Sequence, residues 1–511
     1  MNAANRVAAN TLILYGRMLL TMGITLYSTR LVLNALGSTD YGIYNLVAGI
    51  IVMLSFLNTA MATSSQRYLS FHQGRKDLQK QKEVFTNSFF LHIVIGILIV
   101  IGLETAGLFL FDGFLNIPAD RIESARIIYH YMAITVFFTV ITVPFNGLLT
   151  AHENMLWVAF VNIVETLLKL GIALFLYTLS SDRLVVYGIL TASIVVVSFI
   201  MYSVFCFKKY PECTFKGVMK PEAGFVKELA GFAGWNLFGA LCSMGRNQGL
   251  ALILNLFFGA VINAAYGIAN QVNSQLLFLS RTMLRALNPQ IMKSEGAGDR
   301  ARVIKLSVMA SKFSFFLLSA IGLPVIFEMK DILEFWLGEV PDYTVIFCQL
   351  IIIGAIINQL SVGLQSAILA VGDIKFYHIM IGSVMLLNLP LSYVILNYFN
   401  APPYIVLVTY VIIESIASVL RVYIAEKKAS FTFHTFLNKI VLRVILPLII
   451  MLIGNFLFIT SFHFYLRFLV TIVFSSIVYS LLFYLISFEK EEKKLVQNIV
   501  EKIRNRFKRK S

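Results

Sequence analysis

The sequence predicts an all-α polytopic membrane protein of about fourteen transmembrane helices: two six-helix lobes that repeat in the same orientation, followed by an extra helix pair. Three observations predict it. Of 511 residues, 58% are hydrophobic and only 14% are charged, too little polar surface to cover a soluble particle of this size. Apolar blocks long enough to cross a bilayer recur from end to end. A set of motifs in the first half returns in the same order in the second. These features exclude a soluble enzyme, a secreted disulfide scaffold and a disordered chain. With 11 prolines and no Pro, Ser or Gln tract, they also leave no sizeable linker.

The helices are read over 8–36, 41–64, 84–111, 124–150, 156–179, 184–207, 229–258, 264–288, 306–329, 343–370, 374–398, 404–424, 439–459 and 467–487. Their even number puts both termini on one side of the membrane. Of the 42 Lys and Arg residues, thirty-two fall on that side, five on the opposite side and five inside helices. Positive charge collects on the cytoplasmic side, so both termini are expected there. The formal net charge of +15 is therefore a matter of topology and calls for no nucleic-acid partner. The first apolar block carries Arg17 and Arg30 and lacks a small-residue cleavage site, so it is expected to remain as a spanning helix.

Four cysteines, Cys206, Cys213, Cys242 and Cys348, show no paired spacing and read as small apolar residues. The seven histidines are scattered. No metal-ligand cluster, no nucleophile with its base and no phosphate-cradling glycine loop is visible, so no catalytic role, cofactor or metal is expected.

The internal repeat sets the architecture. Leu36-Gly37 followed by Tyr41-Gly42-Ile43-Tyr44-Asn45 returns as Phe258-Gly259 followed by Tyr266-Gly267-Ile268-Ala269-Asn270. Ser70, Gly74 and Asp77 return as Ser294, Gly298 and Asp299, Phe114-Leu115 with Pro118 as Trp336-Leu337 with Pro341, and Leu149-Thr150-Ala151 as Ile368-Leu369-Ala370. The period contains six helices, an even number, so the copies share an orientation and are expected to be related by an axis along the membrane normal. The lobes are read over 1–208 and 229–425, with a cytoplasmic linker at 209–228, the extra helix pair at 439–487 and a basic tail at 488–511. The repeated glycines bracket a very short outer turn, where a positive φ is cheap only for glycine.

With these residues in view, the chain resembles the polysaccharide-transporter branch of the multidrug/oligosaccharidyl-lipid/polysaccharide superfamily, which includes the O-antigen flippases. The resemblance rests on Leu36-Gly37 with Asp40-Tyr41-Gly42-Ile43-Tyr44, on Trp235-Asn236, on Phe258-Gly259 with Ala264-Ala265-Tyr266-Gly267-Ile268-Ala269, and on Pro289 with Ser294 and Gly298. It implies two six-helix lobes around a central cavity in a bacterial inner membrane, and no enzyme. It also implies that a polyprenyl-diphosphate-linked oligosaccharide, such as an O-antigen, capsule or exopolysaccharide repeat unit, is flipped outward by alternating access. A polysaccharide polymerase and glycosyltransferases of the same pathway are the partners it suggests. By the same resemblance, the last two helices would hold the lipid tail.

Charges inside the hydrocarbon are the candidate site residues. Arg17 lies roughly 14 Å and Arg246 roughly 24 Å into the helices that open the two lobes. A guanidinium at such depth costs on the order of 2.5–3.5 kcal/mol to insert, so each is expected to face the bundle interior or water. Two readings stand for Arg17 and Arg246. They grip a diphosphate through their fork geometry, or each pairs with a carboxylate or snorkels. Arg30, nearer the outer end, is a weaker candidate. Asn45 and Asn270 occupy equivalent repeat positions and suit either sugar hydroxyls or inter-helix bonding. Glu165 and Lys169, four apart, are expected to neutralise each other. Glu414 reads as a lone carboxylate in mid-helix that would carry a coupling proton.

Two alternatives remain open: a multidrug or organic-cation antiporter of the same superfamily, and a flippase for the peptidoglycan-precursor lipid. The antiporter would favour acids where Arg17 and Arg246 stand. In the tail, Leu495, Ile499, Ile503 and Phe507 recur every four residues among Lys and Arg, predicting an amphipathic helix on the anionic inner-leaflet lipids.

Overall fold

The computed structural model describes residues 3–52, 55–111, 117–180, 182–214, 223–337, 339–461, 466–490, 492–494 and 497. Among them there is helix and no strand, as expected of a chain whose backbone amides and carbonyls must be satisfied within each crossing segment. The elements are α1 (Ala3–Val52), α2 (Ser55–Gly74), α3 (Leu78–Phe109), α4 (Ile122–Ala151), α5 (Met155–Phe175), α6 (Arg183–Lys209) and α7 (Ala223–Gly296). They continue as α8 (Arg300–Phe327), α9 (Met329–Leu337), α10 (Thr344–Val371), α11 (Lys375–Leu386), α12 (Asn388–Phe399), α13 (Ile405–Ala429), α14 (Phe433–Phe436), α15 (Leu442–Ser461) and α16 (Arg467–Leu482).

Eleven helices among the described residues are long and apolar enough to cross a membrane. The expected spans over 41–64, 229–258 and 264–288 are not among them. The first of these includes undescribed residues, and the other two are the arms of α7, studded with Asn236, Ser243, Arg246, Asn247, Asn263, Asn270, Gln271 and Asn273. A polar span is tolerated where it lines protein or a wet cavity rather than lipid.

Both kinks that the repeat predicts are present. Gly37 in α1 has φ 80° and ψ 169°, and Gly259 in α7 has φ 79° and ψ −169°. This region is essentially closed to residues with a Cβ. Each glycine therefore turns one continuous helix back as two arms. Open space surrounds both positions, so backbone conformation alone demands glycine there.

The inner loops repeat as well, through their caps. The Asp77 side chain accepts from Lys80 N and opens α3, and the Asp299 side chain accepts from Arg302 N and opens α8. An aspartate at this position satisfies an amide that the helix cannot. The positive φ just before each cap falls on Gly298 (74°) in the second half but on Lys76 (57°) in the first. In conformation, then, Lys76 rather than Gly74 is the partner of Gly298. These caps also explain why α3 and α8 begin six residues earlier than hydropathy predicts: the apolar run marks the hydrocarbon, and the solvated first turns lie outside it. The anchor Phe114-Leu115 lies outside the described residues.

The chain divides into two compact units, Ala9–Leu237 and one made chiefly of Phe238–Ser511. In the first, α4 packs against α2, α3 and α6. Its core holds Tyr129, whose hydroxyl donates to Leu103 O at 2.6 Å, and a cluster of rings on Phe85, Phe145, Phe199 and Phe207. The first turns of α7 belong to this unit: Tyr68 donates to Glu228 at 3.0 Å, and Arg67 lies over the rings of Tyr68 and Phe232. On the loop side, Arg121 bridges Asp40 and Asp182 at 3.0 and 3.1 Å.

In the second unit, α10 packs against α8 and α13. Gly363 makes the α8 contact possible, because a Cβ there would fall 1.9 Å from Ser307 O. Its amide donates to Ser311 Oγ at 3.0 Å. The predicted helix at 374–398 is interrupted at Leu387, where Pro390 has no amide to donate to Leu386 O. Hydropathy also misses the short helix α9. Arg467, at the start of α16, holds it and the end of α8 through Glu328 (2.9 Å) and Asp331 (2.9 Å).

Gly259→Ala is expected to cost about 1–3 kcal/mol, the price of forcing a side chain into this backbone region. Gly267→Ala, in the ordinary helix of the same arm with open space around it, is expected to leave stability unchanged or slightly raised. Thermal unfolding of the two purified variants checks this. Equal behaviour would remove the kink as the reason for the repeated glycine.

Candidate functional site

The second unit holds a partly open cavity of about 190 Å³ among its helices. Both arms of α7 wall it, with Arg246 and Asn247 before the kink and Tyr266, Asn270, Asn273 and Arg281 after it. Asn358 and Gln359 of α10 and Tyr410 and Glu414 of α13 close the other side. Tyr410 and Glu414 are one turn apart on α13, and Arg421 follows two turns later, so the three share a face.

A charge network organises this wall. Arg246 Nη1 donates to Glu414 Oε1 at 2.7 Å, and Asn358 Nδ2 donates to Oε2 at 3.0 Å. Arg421 Nη2 stands 3.9 Å from the same carboxylate and Nη1 donates to Ser361 Oγ at 3.1 Å. The Arg246 guanidinium lies 4.7 Å over the Tyr410 ring. Arg246, Glu414 and Arg421 are 5%, 2% and 2% exposed, which takes all three out of bulk water. Two guanidiniums around one carboxylate leave the group with a net positive charge. Arg281 adds another cation to the cavity wall.

Not every polar atom on the wall is used. Arg246 Nε, Asn273 Oδ1 and Gln359 Oε1 are buried without a hydrogen-bond partner. Asn270 turns its amide onto Tyr266 O at 2.9 Å, and the Tyr266 hydroxyl donates to Asn247 O at 3.3 Å. The result is a small polar chamber with net positive charge, hydrogen-bond donors and acceptors, and one aromatic face. It suits an anion that carries hydroxyl groups and is poorly matched to a cation.

A family model described as polysaccharide biosynthesis protein matches residues 7–295, more than half of the chain. The chain belongs to this family. Among solved structures, it is similar to a multidrug resistance MATE family transporter of the MOP superfamily in its outward-facing conformation (TM-score 0.72, 14% identity, covering 84% of this chain and 95% of that one). It is also similar to a MATE protein in the bent conformation (TM-score 0.73, 14% identity, 85% and 99%). A third similar structure is a MOP superfamily transporter from Pyrococcus furiosus (TM-score 0.69, 12% identity, 84% and 95%). Among curated proteins, no sequence matches the chain. The chain is thus a multi-pass membrane protein of the polysaccharide biosynthesis family, with the fold seen in transporters of the MOP superfamily.

The structure brings together three of the residues singled out from sequence, Arg246, Asn270 and Glu414. Glu414 is not the lone carboxylate that its sequence surroundings suggest, because Arg246 and Asn358 both bind it. Arg17 is half-buried on the first arm of α1, and Arg30 is exposed on the same arm. The side chain of Asn45 lies outside the described residues. Glu165 is half-buried and Lys169 exposed on α5, and no ion pair joins them. An exposed i,i+4 pair is worth only about 0.2–0.5 kcal/mol, too little to hold a lysine stem in place.

Sequence reasoning passed over Asn358, Tyr410, Arg281 and Arg421. The count of thirty-two same-side charges includes both arginines, yet Arg281 lines the cavity and Arg421 is buried in α13. Their signal is helical phase: Arg421 is seven residues from Glu414, and a pair that shares a face across two turns is a candidate for one network. No group of three or more His, Cys, Asp or Glu side chains among the described residues is placed to hold a metal ion.

Removing Arg246 alone strands a buried carboxylate. Arg246→Gln is expected to destabilise the protein toward the low end of about 3–5 kcal/mol, since Asn358 and Arg421 still face Glu414. The double variant Arg246→Gln with Glu414→Gln should recover most of that loss. A thermal-unfolding cycle of the two single variants and the double one measures the coupling, and additive losses would show that the pair does not hold the site together.

Proposed function

We propose that the chain is a flippase that moves a polyprenyl-diphosphate-linked oligosaccharide, the repeat unit of an O-antigen, capsule or exopolysaccharide, from the cytoplasmic to the outer face of a bacterial inner membrane by alternating access. Both termini are cytoplasmic in this reading, as the distribution of Lys and Arg favours. The observation that carries it is the cationic polar chamber at Arg246 in a member of the polysaccharide biosynthesis family. The glycan diphosphate occupies water and polar protein throughout, while the polyprenyl chain stays in lipid, so hydrocarbon never solvates the sugar. With the cavity empty, Glu414 is the counter-ion of Arg246. An arriving diphosphate takes that place through the guanidinium fork, and Asn358 and Arg421 keep the released carboxylate satisfied.

The charge of the chamber weighs against the multidrug-antiporter reading despite the shared fold. Its single wall carboxylate is already neutralised, and Arg246 and Arg281 repel an organic cation. Among the similar structures, the Pyrococcus furiosus transporter is described by a binding pocket of reverse polarity that suggests a different function, and the cationic lining here fits a division by pocket charge. A flippase for the peptidoglycan precursor would use the same chemistry, so the identity of the accumulated lipid separates the two. Inside-negative potential assists export of the anionic headgroup by about 2.3 kcal/mol per charge per 100 mV, so no ion gradient is required. A polymerase and glycosyltransferases of the same pathway would supply and consume the lipid-linked glycan.

Deleting the gene in its native host is expected to make a polyprenyl-diphosphate oligosaccharide accumulate, read by mass spectrometry of extracted lipids, while the matching surface polysaccharide disappears. Complementation with Arg246→Ala at wild-type protein level should restore less than a tenth of the surface polymer, and Arg246→Lys only part of it, because a lysine keeps the charge and loses the fork. An unchanged lipid pool with an intact surface coat would overturn the flippase reading. Full rescue by Arg246→Ala would remove this residue from the mechanism.

A further inference from the structure

A second, larger cavity of about 1140 Å³ opens at the charge-rich end of the second unit, away from the Arg246 chamber. Its walls come from the last turns of α7, the first turns of α8, the turn that opens α15 and the segment after α16. Five cations from three segments line it: Arg302 and Lys305 on α8, Lys439 and Arg443 ahead of and within α15, and Lys490 after α16. All five are exposed. Beneath them the wall turns apolar, with Leu306, Met309 and Phe488.

Of the three acids on this wall, Glu489 is exposed and the other two are already engaged. Asp299 caps α8 through Arg302 N, and Glu492 accepts from Lys312 Nζ at 2.6 Å and from Glu489 N at 2.8 Å. Lys312 is fully buried in the middle of α8 and also donates to Ser487 O at 3.3 Å. It continues the face of Lys305 and Met309, two turns and one turn earlier. The end of the cavity nearest the core is thus closed by a built, neutralised ion pair, and the excess positive charge lies at the mouth. The first turn of α8 adds the positive end of its dipole to the same place.

We propose that this cavity binds an anionic phospholipid: its phosphate lies among Arg302, Lys305, Lys439 and Arg443, and the first carbons of its acyl chains lie against Leu306, Met309 and Phe488. The volume exceeds the usual range for a small-molecule cleft, about 300–1,000 Å³, and its division into a cationic mouth and an apolar floor is that of a lipid rather than of an ion. Basic pockets at the inner ends of helices recognise anionic headgroups by this charge complementarity. The bound lipid fastens α8 to the helix pair α15 and α16. The topology reading above bears only on which leaflet supplies the lipid.

The test uses the full-length protein in neutral detergent, with no glycan substrate present, so its outcome is separate from that of the flippase reading. Native mass spectrometry titrates phosphatidylglycerol, phosphatidylcholine and inorganic phosphate against wild type, against the triple variant Arg302→Gln/Lys439→Gln/Arg443→Gln, and against a control, Lys208→Gln/Lys209→Gln, that removes charge from the end of α6 in the first unit. Wild type and control are expected to bind phosphatidylglycerol at least tenfold more tightly than phosphatidylcholine, and the triple variant to lose at least tenfold in phosphatidylglycerol affinity. Met309→Trp, which fills the floor without changing charge, should lose affinity to a similar degree, and it serves with Arg443→Gln alone if the triple variant does not purify as a folded monomer. Unchanged affinity in these variants, or equal binding of phosphatidylcholine, would overturn the proposal. Displacement of the lipid by equimolar phosphate would assign the cations to a free anion and overturn the lipid.

Discussion

A charge buried among membrane helices must be matched inside the protein, and this constraint shapes the second unit. Arg246, Glu414 and Arg421 form a chain of alternating sign across α7 and α13, with Asn358 of α10 binding the middle member. Lys312 does the same on α8, where its partner Glu492 comes from the segment after the last helix. On the loop side, Arg467 takes up Glu328 and Asp331. Each network joins elements that are distant in sequence. The apolar faces let these helices associate in many rotations, because lipid is as apolar as a leucine-covered neighbour. Pairing each charge selects one rotation among them.

The same constraint gives the Arg246 chamber its chemistry. A guanidinium that only packed would be satisfied on every side, yet Arg246 keeps Nε without a partner while its Nη1 bond goes to a carboxylate that has two other neighbours. When the pair opens, Asn358 and Arg421 still face Glu414, so the carboxylate keeps part of its stabilisation. Such a group can bind an anion in one state and close on itself in another. The proposed transport needs that property, since a site that stayed unsatisfied when empty would be too costly to bury, and one fully satisfied when empty would have no affinity left for cargo.

Much of the fold was legible in the sequence because the rules that govern it are local. Hydropathy locates spans, and the return of Gly37 and Tyr41-Gly42 as Gly259 and Tyr266-Gly267 announces a duplication whose kinks share one backbone conformation. What stayed hidden depends on partners far away in the chain. Glu414 looked alone because Arg246 lies 168 residues earlier. Arg421, near the end of its helix beside Lys427 and Lys428, joins the network only through helix phase, which charge counting does not read. Lys312 has its acid beyond α16, in a segment that reads as a basic amphipathic tail, so hydropathy does not pair the two. The short helix α9 and the break at Leu387 fell below what an averaged apolar window resolves.

The two halves, though duplicated, have not kept the same electrostatics. Arg17 opens the first lobe twenty residues before Gly37, and Arg246 stands thirteen residues before Gly259, so the cations sit at different heights on equivalent arms. The Asp that opens the third helix is kept in both halves, but the strained residue before it is glycine in one and lysine in the other. Features that set backbone direction therefore repeat, whereas buried charges follow the environment of each half. That is the pattern expected if duplication supplied the scaffold first and cargo chemistry was added later. In the flippase reading proposed above, a headgroup with a compact diphosphate and an extended glycan has no twofold symmetry of its own, and a chamber that gripped its phosphates from one half would need only that half to carry the fork.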